Sequence, residues 1–382
     1  MTRLAIAAAC VVAGCQPAAS KATVPASTVT SRDDEAGLMR LYTELQDDVL
    51  ASYDRDEPPE VDSGMLDPRV GTARIGVGPG DVYVTGDRSR APSRWPLEVD
   101  RSTRTEVRSK HLEIQIATDQ SAAWMSDELS WRLDMCGRTV AIALRVTALY
   151  AHDGDRWIPV FEHLSYGSPA APAEELEPAP IKTAAVSADL ETQLAAILDR
   201  GLLRAPRDPA VVSQDRSALV LGADAGDEWH GPDVLDAVVP AGKLEDRRVG
   251  TVGRAPREPT VAYWVGNYSA ELPAHGAEAA RVQRLRATFV FEKRPFATRP
   301  DQKADALACA RGGRAARDIE CRWILVQTQL SRPISDDELT QQVFGTGLLS
   351  AKPLRLDCED SSARAPGVGR RPSAPPPAAH VP

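Results

Sequence analysis

Two stretches decide the fold: VAIALRVTALY at residues 140–150 and VQRLRATFVFEK at residues 282–293. Successive side chains of an extended strand point to opposite faces. In the first stretch Val140, Ile142, Leu144, Val146 and Ala148 fall on one face, and Ala141, Ala143, Arg145, Thr147 and Leu149 on the other. The first face is wholly apolar and predicts packing on a helix. The second carries one Arg and one Thr among small apolar residues, so it is either exposed or buried against a neighbouring domain. The second stretch places Arg286 and Thr288 where the first has Arg145 and Thr147.

The surroundings of the two stretches share a layout, which reads as an internal repeat. Each block opens with a helix-period segment: Leu38, Leu41, Tyr42, Leu45, Val49 and Leu50 in one, and Leu190, Leu194, Ile197, Leu198 and Leu202 in the other. Ser187 and Asp189 are candidate N-caps of the second helix. A turn-rich run follows, GVGPGDVYVTG (76–86) against GADAGDEWHG (222–231). Next come AAWMSDELSW (122–131) against AYWVGNYSAEL (262–272), then the two long strands, then RWIPVFEHLS (156–165) against RWILVQTQLS (322–331). The matched pairs are Trp124 with Trp264, Arg145 with Arg286, Thr147 with Thr288, Trp157 with Trp323 and Ser165 with Ser331. The second block holds an insertion, ATRPDQKADALACARGGRAARD, which is charged and rich in Ala and Gly, as a surface hairpin loop should be.

A helix followed by long antiparallel strands that close on R-x-T, RW and L-S resembles the nuclear-transport-factor-2-like (NTF2-like) superfamily. The likeness is to its SnoaL-like and kinase-association-domain-like branch. The residues that carry it are Arg145-Val146-Thr147-Ala148, the turn Asp153-Gly154-Asp155, and Trp157 to Ser165 with His163-Leu164-Ser165. The resemblance implies an α+β fold of two tandem cones. Each would be a bent antiparallel sheet wrapped around its N-terminal helix, with an apolar pocket at the wide end.

The ends of the chain read as an address and a tail. Residues 1–15, MTRLAIAAACVVAGC, have one charge and a short apolar run, which fits a secretory signal and is too short for a membrane span. Val12-Ala13-Gly14-Cys15 resembles the bacterial lipobox, which implies lipidation at Cys15. Gln16 in place of Asp implies an outer-membrane anchor facing the periplasm. The expected organisation is a signal over 1–15, a tether over 16–34, one domain over 35–168, a Pro/Ala linker over 169–185, a second domain over 186–349 and a tail over 350–382.

Composition excludes some functions. The formal net charge is −9, which argues against nonspecific nucleic-acid binding. The cysteines left after the signal and Cys15 are Cys136, Cys309, Cys321 and Cys358, without zinc-ligand spacing, so neither a metal nor a cofactor is expected. Cys309 and Cys321 are a candidate disulfide in an oxidising compartment. Pairing with Cys358 and free thiols remain open alternatives. The GVGPG run lacks the trailing Gly-Lys-Ser/Thr, and Pro79 removes a needed N–H donor, so it is not a phosphate loop.

Chemistry in an apolar pocket needs two titratable groups with pKa values pushed apart. His163 is the best single candidate, but its counterpart Gln329 cannot exchange protons. Arg145 and Arg286 are candidates for anion capture, with structural pairing as the alternative. Trp95, Trp131 and Trp229 have no matched partners and are candidates to rim a pocket. The reading that follows is a lipid-anchored envelope protein, non-enzymatic, whose two domains bind a small apolar ligand or a protein. One alternative is an isomerase-, dehydratase- or hydrolase-type enzyme working through His163 in domain one. Another is a scaffold in which the two domains pair sheet to sheet as an intramolecular pseudo-dimer.

Overall fold

The computed structural model describes residues 32–54, 73–84, 104–135, 138–152, 156–167, 176–181, 187–203, 207–224, 226–252, 259–272, 274, 279–297, 307–311 and 319–344. Cys10, Cys15, Trp95, Cys136 and Cys358 lie outside the described residues, as do the expected signal and tail. So does the expected tether, except residues 32–34, which belong to the first helix.

The first part of the chain runs α1 (Arg32–Asp54), β1 (Ala73–Ile75), β2 (Val82–Val84), β3 (Arg104–Ser109), β4 (Glu113–Ile116), β5 (Ala122–Met135), β6 (Arg138–His152) and β7 (Trp157–Tyr166). These strands form one sheet in the order β2-β1-β7-β6-β5-β3, with β4 also on β5. The second part runs α2 (Ala188–Leu198), β8 (Leu219–Leu221), β9 (Glu228–His230), β10 (Gly242–Val252), β11 (Val261–Leu272), β12 (Arg281–Ala297), α3 (Ala308–Arg311), β13 (Ile319–Ser331) and α4 (Asp336–Phe344). Its sheet has the order β10-β11-β12-β13-β8-β9.

This corrects the expected fold class. The described residues are mostly strand with few helices, and the sheets are mixed, because β1 runs parallel to β7 and β8 parallel to β13. They do not form a pair of α+β cones wrapped around N-terminal helices. The physical reason lies in which faces are apolar. Each helix offers one stripe and covers one face of its sheet. Leu41, Leu45, Val49 and Tyr53 of α1 pack with Met125, Leu129, Trp131 and Leu144. Leu194, Ile197 and Leu198 of α2, with Leu202 beyond its end, pack with Trp264, Phe289, Phe291 and Leu325. The remaining faces of the two sheets cover each other. Trp124, Leu149 and Phe161 from the first sheet and Tyr263, Val265 and Val290 from the second share one core cluster. The Phe161 and Tyr263 rings stack with centroids 5.4 Å apart.

The registers of the two sheets correspond. Thr147 lies opposite His163 and Arg145 opposite Ser165; likewise Thr288 lies opposite Gln329 and Arg286 opposite Ser331. Each β-hairpin has a register shift at the same place, between Leu149 and Tyr150 in one and between Val290 and Phe291 in the other. The Trp pairing read from the sequence is corrected by this register. Trp124 stands opposite Leu149, and the residue opposite Val290 in the same position is Tyr263. Trp124 belongs to the cluster between the sheets, whereas Trp264 faces α2.

Other segments tie the two parts together. Ile334 N donates to Val77 O at 3.1 Å, and Leu339 and Val343 of α4 pack into the core under α1. Within the expected linker, residues 176–181 are packed: Ala179 N donates to Pro79 O at 2.7 Å, and Ile181 is buried between the sheets. Within the insertion, Ala308 and Cys309 are buried, and Cys309 is disulfide-bonded to Cys321.

Candidate functional site

Strand alternation brings the polar side chains of β6, β7, β12 and β13 onto the two facing sheet surfaces, and there they meet. His163 is fully buried. Its Nδ1 lies 2.8 Å from Thr288 Oγ1 and its Nε2 lies 2.7 Å from Ser331 Oγ. A hydroxyl both donates and accepts, so the two can satisfy either tautomer of a neutral ring. Burial, reinforced by the nearby Arg286 charge, pushes the imidazole down to about 3. It is therefore neutral across the physiological range. Gln329, which occupies the corresponding place on β13, donates through Nε2 to Ser165 Oγ at 2.9 Å. Gln327 Nε2 donates to Thr147 Oγ1 at 2.7 Å. Every one of these bonds crosses from one sheet to the other.

The two arginines flank this seam. Arg286 is fully buried and reaches into the turn at residues 76–81. It donates to Gly76 O at 2.8 Å, Pro79 O at 2.6 Å and Asp81 O at 3.3 Å. Burial lowers its pKa to about 10, against the raising influence of Asp81, so it stays charged near neutrality. Arg145 reaches the other way and donates to Asp224 O at 3.1 Å. The two turns are built alike: Gly76 N donates to Asp81 O and Gly222 N to Asp227 O, both at 2.8 Å. A Cβ on Gly76 would come within 2.7 Å of the Asp81 Cβ, and one on Gly222 within 2.4 Å of the Asp227 Cβ, so both turns need glycine there. The guanidiniums thus hold backbone carbonyls, the chemistry of a structural clamp.

A third contact closes the far end of the seam. Glu292 is buried and accepts from Thr118 N at 3.0 Å and Thr118 Oγ1 at 2.9 Å. The Arg294 guanidinium bridges Glu292 at 2.7 Å and Asp215 at 2.6 Å.

A carboxylate lies in the first core, on the α1 side. Asp127 of β5 is buried, while its neighbour Glu128 is exposed. Tyr53 Oη donates to Asp127 Oδ2 at 3.1 Å, and His111 N to Asp127 Oδ1 at 3.2 Å. Burial raises its pKa, and these hydrogen bonds oppose the rise. His163 and Asp127 lie on opposite faces of the sheet and do not form a pair.

The remaining candidates divide. Trp131 is fully buried in the first core, and Trp229 packs half-buried at the margin of the second. Among the described residues, no group of three His, Cys, Asp or Glu side chains is arranged to hold a metal ion. No described helix is long and apolar enough to cross a membrane. Sequence reasoning did not single out Gln327. The available signal was the every-second polar run Gln327, Gln329, Ser331 in an otherwise apolar strand.

No family model matches the chain. No curated protein matches it either. Among solved structures it is similar to an "Ntf2 like protein involved in plasmid conjugation". That likeness covers 62% of this chain and 80% of the other, at 10% identity and a TM-score of 0.17. The likeness is weak.

Proposed function

We propose that this chain is a lipid-anchored protein of the bacterial envelope, with two repeated NTF2-like units that pair through their sheets, and that it works by binding or scaffolding rather than by catalysis. The observation that carries this reading is the buried seam. The best titratable candidate, His163, sits fully buried between two sheets with both ring nitrogens on hydroxyls. A neutral ring so enclosed cannot pass a proton to a substrate. The equal registers, with the register shift in the same place, support duplication of one unit. The reciprocal Arg286 and Arg145 contacts support pairing of the two units within one chain.

The anchor rests on the lipobox-like Val12-Ala13-Gly14-Cys15. The test is palmitate labelling and membrane fractionation of the full chain in a Gram-negative host. The native protein should take up label and sediment with the membrane, and Cys15→Ser should do neither. A Cys15→Ser protein that stays with the membrane refutes the anchor. Native mass spectrometry of the mature protein tests the binding role: a co-purified ligand or partner is expected, and turnover abolished by His163→Gln would overturn the non-catalytic reading.

A further inference from the structure

We draw no further inference here: the strongest candidate, the stacked imidazoles of His111 and His230 where the β3–β4 turn meets β9, carries nothing beyond a surface contact, because both rings are partly exposed, each is already paired with a carboxylate, His111 with Glu113 at 3.1 Å and His230 with Glu228 at 2.6 Å, and the four side chains are not arranged to hold a metal ion.

Discussion

At the scale of single residues, His163 and Arg286 carry the most consequence. A buried imidazole held near 3 binds no proton in the folded chain at pH 5, whereas the unfolded chain, with an ordinary value near 6.5, binds one. The unfolded state therefore gains on the folded one as pH falls from about 6.5 towards 3, by a few kcal/mol in all. Above that window the contribution is complete. His163→Gln removes the titration and places at 163 the residue already found at 329. Its cost at pH 7.5 should be about 1–2 kcal/mol. Urea unfolding at pH 7.5 and pH 4.5 checks this: the variant should lose less stability between the two than the native chain, and an equal loss overturns the assignment. Arg286→Lys should cost more, about 2–4 kcal/mol, because one ammonium cannot reproduce a planar fork on three carbonyls. Arg247→Lys is the control, since the Arg247–Glu191 pair is partly exposed and should be worth less than about 1 kcal/mol. Of these roles, the sequence announced the positions and not the environments. The spacing matched Arg145 with Arg286 and singled out His163, but nothing local in the chain says that a Thr and a Ser lying far along the sequence will close on the ring.

At the scale of elements, alternation was informative and phase was not. Ile142, Leu144, Val146 and Ala148 of the apolar face did pack under a helix, and the mixed face meets the other sheet from Arg145 onward, while its Ala141 and Ala143 are exposed. Yet matching Trp124 with Trp264 slipped the preceding strand by one residue, which moves every side chain to the other face. Tryptophan was a poor marker because both faces of these sheets are buried, so either tolerates a large ring. The parallel β1 and β8 are three residues each, too short to show a period, and for that reason the mixed sheets were not foreseen. The insertion before β13 hid a packed element for a similar reason: α3 spans only four residues. Its disulfide closes a loop between positions 12 apart, so breaking it should cost about 2–3 kcal/mol. Cys309→Ala, or thiol treatment of the native chain, should lower the melting temperature to the same degree. Neither should change the pH dependence attributed to His163, because the bridge lies outside the seam.

At the scale of the whole molecule, the two sheets are conditions for each other. Trp124, Leu149 and Phe161 are buried only because the second sheet stands over them, and the core under α1 is completed by Ile334 and Leu339 from the end of the second part. Each large apolar side chain so covered contributes about 1.5–3 kcal/mol. Five of them amount to the whole stability margin of an ordinary domain, about 5–15 kcal/mol. A segment of residues 32–167 expressed alone should therefore show no cooperative thermal transition and should bind a hydrophobic dye. Co-expression with residues 187–344 should restore a soluble complex that melts cooperatively, because the Arg286 clamp, the His163 bonds and α4 need no covalent link between the parts. Arg286→Lys in the second segment should weaken that complex without changing the first segment alone. A sharp melt of the isolated first segment, at the temperature of the full chain, would show that its sheet is stable bare. The pairing would then be an incidental contact, and the seam would lose its standing as the feature around which the chain is built.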